Sequence, residues 1–160
     1  MPTSAEKAME IWKGLIGKSE GTGEWLKIEQ DRINKFADAT LDHQFIHIDP
    51  EKSAQLSPYK VTIAHGFLTL SLVPHLGGSV PIPEPKAYEG VVMGVNYGLD
   101  KVRFPSPVKV NSRVRAHREL MSAELVNPST IQLKQKVTVE IEGETKPGCV
   151  AEMLSRLIYG

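Results

Sequence analysis

The sequence predicts an α+β fold in which an antiparallel β-sheet wraps around a central, buried α-helix. Three observations point there. The segment Ile63–Leu76 carries Phe67, Leu68, Leu70, Leu72, Val73 and Leu76 around almost the whole circumference of a helix, and a helix apolar on all sides has to be buried on all sides. Everything after Tyr88 reads as β, in four long segments. In one of these, Ile131, Leu133, Val137, Val139 and Ile141 alternate with Gln132, Lys134, Thr138 and Glu140, the period of a strand with one wet face. A sheet curled over one apolar helix gives each pattern its cover.

Taken in order, Ala8–Ile16 places Ala8, Ile11, Trp12, Leu15 and Ile16 at helical spacing, and Gly17 ends that helix. Glu24–Glu29 reads as extended, with Trp25, Leu26 and Ile28 as its apolar members. Gln30–Thr40 is a second helix, with Ile33, Phe36, Ala37 and Thr40 on one face. Thr40–Pro58 mixes polar and single apolar residues and reads as structured loop with a brief helical turn at Ser53–Leu56. Pro74 is expected to disturb the end of the central helix by removing a bond to the Leu70 carbonyl, and Gly77-Gly78 stop it. The strands then run Val91–Phe104, Arg113–Val126, Ile131–Ile141 and Val150–Tyr159, with Asn127-Pro128 and Glu142-Gly143-Glu144 as turns.

A chain of 160 residues fits a single domain, 1–160. Apolar residues make up 41%, which suits a packed core. The 19 basic and 19 acidic side chains cancel, so nothing draws the chain to nucleic acid or anionic lipid. Cys149 is the only cysteine, which precludes an internal disulfide and a thiolate metal cluster. No secretory leader and no long apolar span is visible, so the expectation is a soluble, cytoplasmic protein away from membranes.

The densest polar stretch is Thr40-Leu41-Asp42-His43-Gln44-Phe45-Ile46-His47-Ile48-Asp49-Pro50. Asp42 and His47 stand five apart, which no regular helix or strand brings to one point; only a curled segment does. Once converged, a carboxylate and an imidazole share proton transfer near neutral pH, each contributing about 10²–10⁴-fold. The plainer reading makes Asp42 a turn residue and His47 a half-buried loop histidine. Downstream, in Thr62-Ile63-Ala64-His65-Gly66-Phe67, Gly66 sits where the central helix begins. Its N–H has no partner inside the helix, and glycine lets a ligand approach closely. A thioester carbonyl gaining enolate character would find a donor there; the plainer reading is that Gly66 eases the turn.

His43 and His47 at i, i+4, with Asp49 nearby, raise the question of a metal. Gln44 stands where the metalloprotease motif needs Glu, so no metal site is expected. Asp49-Pro50-Glu51 reads instead as a helix start, and His75 and His117 as surface or packing residues.

Together these stretches resemble the MaoC-like hydratases, and more closely their NodN-like branch. Phe36 matches the signature's aromatic position, Asp42 its aspartate, Ile46 its aliphatic residue, His47 its histidine and Ser53 its final small residue. Ile63-Ala64-His65-Gly66-Phe67-Leu68 is similar to the start of the family's central helix, and Asn96–Pro105 to the strand that follows it. The similarity runs from about Gly17 onward. It departs at Leu41, where the signature has a glycine at a position that wants φ > 0, and at Gln44-Phe45, which replaces Asn-Pro but suits the NodN-like branch.

The resemblance implies a hotdog fold and a homodimer whose substrate tunnel is lined partly by the partner. It implies reversible addition of water to a trans-2-enoyl-CoA, giving the (R)-3-hydroxyacyl-CoA. The carrier is coenzyme A or acyl-carrier protein, and no metal or redox cofactor is implied. In that reading Asp42 and His47 hold the water, the Gly66 N–H polarises the carbonyl, and Gln44 is an additional substrate-side candidate. Two other readings share the same pocket: an acyl-CoA thioesterase, and a non-catalytic acyl-thioester-binding protein.

Overall fold

A computed structural model describes residues 1–160. Helix α1, Ser4–Leu15, starts before its apolar period does. Thr3 and Glu6 form a reciprocal capping box there: the Thr3 hydroxyl accepts from the Glu6 N–H and the Glu6 carboxylate from the Thr3 N–H at 2.7 Å. Two short strands follow, β1 at Ser19–Thr22 and β2 at Leu26–Lys27. The expected extended segment Glu24–Glu29 thus forms ladder only at its centre. Helix α2 spans Gln30–Thr40 as its periodicity predicts, burying Ile33 and Ala37.

The stretch read as structured loop is more helical than expected, holding α3 (Phe45–Ile48) and α4 (Pro50–Leu56). The central helix is two short pieces, α5 (Gly66–Ser71) and α6 (Val73–Gly78). Ile63 and Ala64 are not helical: Ile63 bridges to Lys109, and the Ala64 N–H bonds the Val108 carbonyl at 2.8 Å. The break at Leu72 lies where Pro74 has no N–H to return to Leu70. After a 3-10 turn at Pro85–Tyr88 come β3 (Val91–Arg103), β4 (Arg113–Asn127), β5 (Thr130–Ile141) and β6 (Cys149–Tyr159). All four long strands lie within two residues of their expected bounds.

The strands form one antiparallel sheet in the order β1-β4-β5-β6-β3, with β2 alongside β4. Its inner face carries Val114, Ala116 and Leu120 of β4, every second residue of β5, and Cys149, Ala151 and Leu157 of β6. Register keeps them together: Ala116 lies opposite Val139, which lies opposite Cys149. Burial pushes the Cys149 thiol up to about 11, so it is a packing residue and not a nucleophile.

The central helix departs from the expectation of burial on every side. Leu68, Val73 and Leu76 are sealed against the sheet, but Phe67 is 68% exposed. One chain's sheet covers only one side of α5. The other side, with Phe67 edge-on to Phe104 at 6.0 Å, opens next to β3. That edge strand is itself apolar and uncovered, with Val92, Met93, Val95, Tyr97 and Leu99 exposed.

Two apolar clusters share the inner face. One packs α5 and α6 with Ile28 and Ile33 against Val137, Val139 and Ile141; the other packs α1, through Trp12, against Ile131 and Leu133. Gln135 falls between them on β5, and it is not alone. Its side-chain N–H group donates to both Glu20 oxygens at 3.1 and 3.2 Å. Arg118 donates to the same carboxylate and also to the Gly77 carbonyl at 3.2 Å, fastening α6 to the sheet. The Glu20 side chain is 2% exposed and that of Arg118 15%. Breaking such a pair leaves a buried charge without its partner, at a cost of about 3–5 kcal/mol. Glu20→Ala is therefore expected to lower the unfolding free energy measured in urea by that order, whereas Glu10→Ala, which removes an exposed ion pair to Lys13, leaves it within about 0.5 kcal/mol.

Candidate active site

The site begins with the end of α2. Leu41, its C-cap, adopts the left-handed conformation at φ 65°, ψ 20°. That turn reverses the chain, so Asp42 comes back toward the protein. The position does want φ > 0, as the signature's glycine indicates, and leucine supplies it with its side chain in solvent. Gln44 then starts the single turn α3, its N–H 3.4 Å from the Asp42 carboxylate, with its side chain exposed.

Three neighbours hold α3 by its carbonyls. Ile63 N–H donates to Ile46 O at 2.9 Å, Gln30 Nε2 to His47 O at 2.7 Å, and Ser53 Oγ to Phe45 O at 3.1 Å. Thr62, fully enclosed, donates its hydroxyl to Gln30 Oε1 and so orients that amide. These contacts bring His47 inward, where it is 7% exposed.

His47 Nδ1 lies 2.7 Å from the Ile63 carbonyl. A carbonyl oxygen only accepts, so Nδ1 carries the hydrogen and Nε2 of the neutral ring is a bare lone pair. Burial holds the His47 pKa below its ordinary 6.5; the Ile63 hydrogen bond opposes this, His65 adds to it and Asp42 opposes it. The ring is thus neutral at pH 7, with a basic nitrogen on one side. Asp42 stays exposed and no side chain pairs with its carboxylate.

Asp42 and His47 do converge. Asp42, His47 and His65 each bring a carboxylate oxygen or ring nitrogen within 4.8 Å of the others. The third member, His65, was not singled out in the sequence. It is 2% exposed, and its ring stacks on that of His47 with centroids 3.8 Å apart and planes at 22°. Phe36, the signature's aromatic residue, covers it at 4.9 Å. A polar residue wedged immediately before the helix-opening glycine was the available signal.

By distance alone the trio is a candidate cation set. However, ring lone pairs lie in the ring planes, and stacked rings with centroids 3.8 Å apart and planes at 22° do not aim two lone pairs at one point about 2.0–2.1 Å from both nitrogens. The geometry suits proton transfer better than chelation. The other histidine–carboxylate grouping is dispersed: His43 pairs with Asp38 at 2.9 Å, and Asp49 caps α4 by accepting from the Lys52 N–H at 3.0 Å. Outside the site, His117 is held by Thr22 and Glu140 on the outer face of the sheet.

Gly66 is the first residue of α5, directly after His65. An added Cβ would stand 2.9 Å from the Phe104 ring, closer than such contacts occur. The position therefore needs glycine for packing as well as for access.

A protein-family model described as "MaoC like domain" matches residues 13–143. The chain belongs to the MaoC-like dehydratase family. Within that family it is 47% identical over 142 residues to 3-hydroxyacyl-thioester dehydratase Z of Mycobacterium tuberculosis, covering 89% of this chain and 90% of that one. It is 48% identical over 140 residues to Nodulation protein N of Rhizobium leguminosarum bv. viciae, covering 88% and 84%. The MaoC-like fold also matches the unliganded R-hydratase PhaJ1 of Pseudomonas aeruginosa, with a TM-score of 0.66 and 20% identity over 91% of this chain and 83% of that one. The sheet wrapped on its helix is accordingly a hotdog fold, and this MaoC-like chain is an enzyme of the hydratase/dehydratase class. No helix is long and apolar enough to cross a membrane.

A left-handed residue other than glycine carries about 1–2 kcal/mol of backbone strain, and glycine returns part of that in unfolded-chain entropy. Leu41→Gly is expected to leave the fold equally stable or up to about 1 kcal/mol more stable. Leu41→Val, β-branched, should lower the thermal midpoint.

Proposed function

We propose that this chain reversibly hydrates a trans-2-enoyl-CoA to the (R)-3-hydroxyacyl-CoA, with Asp42 and His47 as its acid–base pair. The observation that carries the reading is the convergence of the free Asp42 carboxylate with the His47 ring, one carboxylate oxygen and one ring nitrogen lying within 4.8 Å, beside the residue that opens α5. The names of the relatives support the same class of chemistry, since one acts on a 3-hydroxyacyl thioester and another is an R-hydratase.

A water held between the two groups is oriented by the Asp42 carboxylate and gives a proton to His47 Nε2 as its oxygen bonds to C3 of the enoyl chain. The electron pair of the C2–C3 double bond moves onto the thioester, and the Gly66 N–H receives the developing oxyanion. The pair then delivers the proton to C2 and returns to its starting state. Water is consumed whole, with hydroxyl on C3 and hydrogen on C2. An oxyanion donor of this kind contributes about 2.7–4 kcal/mol. The step calls on no metal or redox cofactor.

The acyl chain has a candidate groove beside α5 and α6. A groove of about 390 Å³ lies between Leu70, Ser71 and Pro74 on the helix side and Tyr97, Leu99 and Met153 on the sheet. Its exposed apolar rim on β3 supports a homodimer in which a second copy pairs along that edge and closes the groove into a tunnel. An uncovered apolar edge strand of 13 residues is otherwise an aggregation hazard.

Purified protein is expected to hydrate crotonyl-CoA or a longer enoyl-CoA, read as loss of the conjugated enone absorbance. Asp42→Asn and His47→Gln should each reduce turnover by at least about a hundredfold while leaving the far-UV spectrum unchanged. Retained activity in both variants would contradict the assignment. Hydration needs His47 neutral, so kcat/KM should be flat near pH 7 and fall only below its ordinary 6.5, because burial lowers that pKa. An acidic limb above 6.5 would count against His47 as the base.

A further inference from the structure

His65 has no part in the step above, yet it touches every part of the site. We propose that His65 is a positioning residue: it holds the Asp42 backbone so that the carboxylate stays beside the His47 ring. The inference rests on the acid–base reading of Asp42 and His47.

The argument starts from the hydrogen bonds of the His65 ring. Nε2 lies 2.9 Å from the Asp42 carbonyl, so Nε2 carries the hydrogen and donates it. Nδ1 of the neutral ring is then a bare acceptor, buried and with no partner. Leaving such a group unpaired in the interior is unfavourable. A phenylalanine would fill the same slot between Phe36 and His47 without that cost. What it would lack is the donor to Asp42. An imidazole here is therefore explained by what its far edge holds, not by packing.

That edge holds the weakest part of the site. Asp42 follows a strained left-handed leucine, is exposed, and has only a 3.4 Å contact from the Gln44 N–H on its side chain. The buried end of the same histidine is rigid, because its carbonyl accepts from Leu68 and Thr69 at 3.0 and 3.2 Å as α5 begins. His65 thus references the exposed carboxylate to the frame that also fixes Gly66, its chain neighbour, and His47, its stacking partner. Displacing a catalytic group by about 1 Å costs roughly 10²-fold in rate.

The test compares His65→Gln with His65→Met, side chains of nearly equal shape of which only glutamine donates. The first readout is crotonyl-CoA hydration. Met is expected to lose about ten- to a hundredfold in kcat with KM within about threefold, and Gln to recover to within a few-fold of the parent. Equal kcat in the two variants, whether both high or both low, overturns the proposal.

The second readout requires no turnover: the His47 imidazole titration followed by NMR. The groups facing that ring are His65, the Asp42 carboxylate and the Ile63 carbonyl. Both variants remove the His65 ring, and only glutamine keeps a donor for the Asp42 carbonyl. A nearby carboxylate raises the midpoint, so Gln should titrate above Met. Coincident midpoints overturn the positioning role. If the parent protein does not hydrate enoyl-CoA, the hydratase reading fails by itself, and the NMR comparison still decides the role of His65.

Discussion

The hydrogen bond from His47 Nδ1–H to the Ile63 carbonyl is the contact on which the site depends. It selects the ring's tautomer, and so decides which nitrogen is free to do chemistry. It also sets the orientation of that nitrogen, because Ile63 is anchored on both flanks. Its own N–H bonds Ile46, and its neighbour Ala64 bonds the Val108 carbonyl. The extended segment Thr62–His65 is thus a rail between α3 and the sheet side of the molecule. One end of it carries the imidazole's partner, and the other opens into Gly66 and α5.

Around that rail the fold separates rigid from exposed parts. His47 and His65 are enclosed, and Phe36 and the sheet-backed helix confine them. Asp42 is left at the surface on a turn that leucine adopts only with strain. A buried carboxylate beside a buried imidazole would be costly to keep charged. At the surface, the Asp42 carboxylate is available to water. The opposite arrangement holds across the sheet, where Glu20 is buried and fully engaged by Arg118 and Gln135. The same chemical group serves structure in one place and reactivity in the other, according to its partners.

Much of this was legible in the sequence because it is local. Gln30–Thr40 and the four long strands follow from period and turn residues alone. The left-handed turn at Leu41 matches the glycine that the family signature carries there, although leucine is an unfavourable residue for it. What was not legible depended on distant partners. Ser19–Thr22 is a strand because it pairs with β4, where Glu20 meets Arg118, 98 positions away; an isolated acidic residue gives no hint of that. Ile63 and Ala64 looked helical by composition but were taken by Lys109 and Val108. Phe67 and β3 look like core and are exposed in the single chain, since their pattern encodes cover that one sheet does not provide. The role of His65 lies in a bond to a backbone atom, and its place just before the helix-opening glycine is the only sequence hint of it.

The tautomer of His47 is the most direct point of attack on this account. Nitrogen-15 NMR of the imidazole at neutral pH distinguishes a protonated from a bare ring nitrogen without substrate or turnover. The account requires Nδ1 to carry the hydrogen and Nε2 to be bare. A ring protonated at Nε2 alone, with Nδ1 bare, would mean that the Ile63 bond does not form and that the basic nitrogen faces the wrong way.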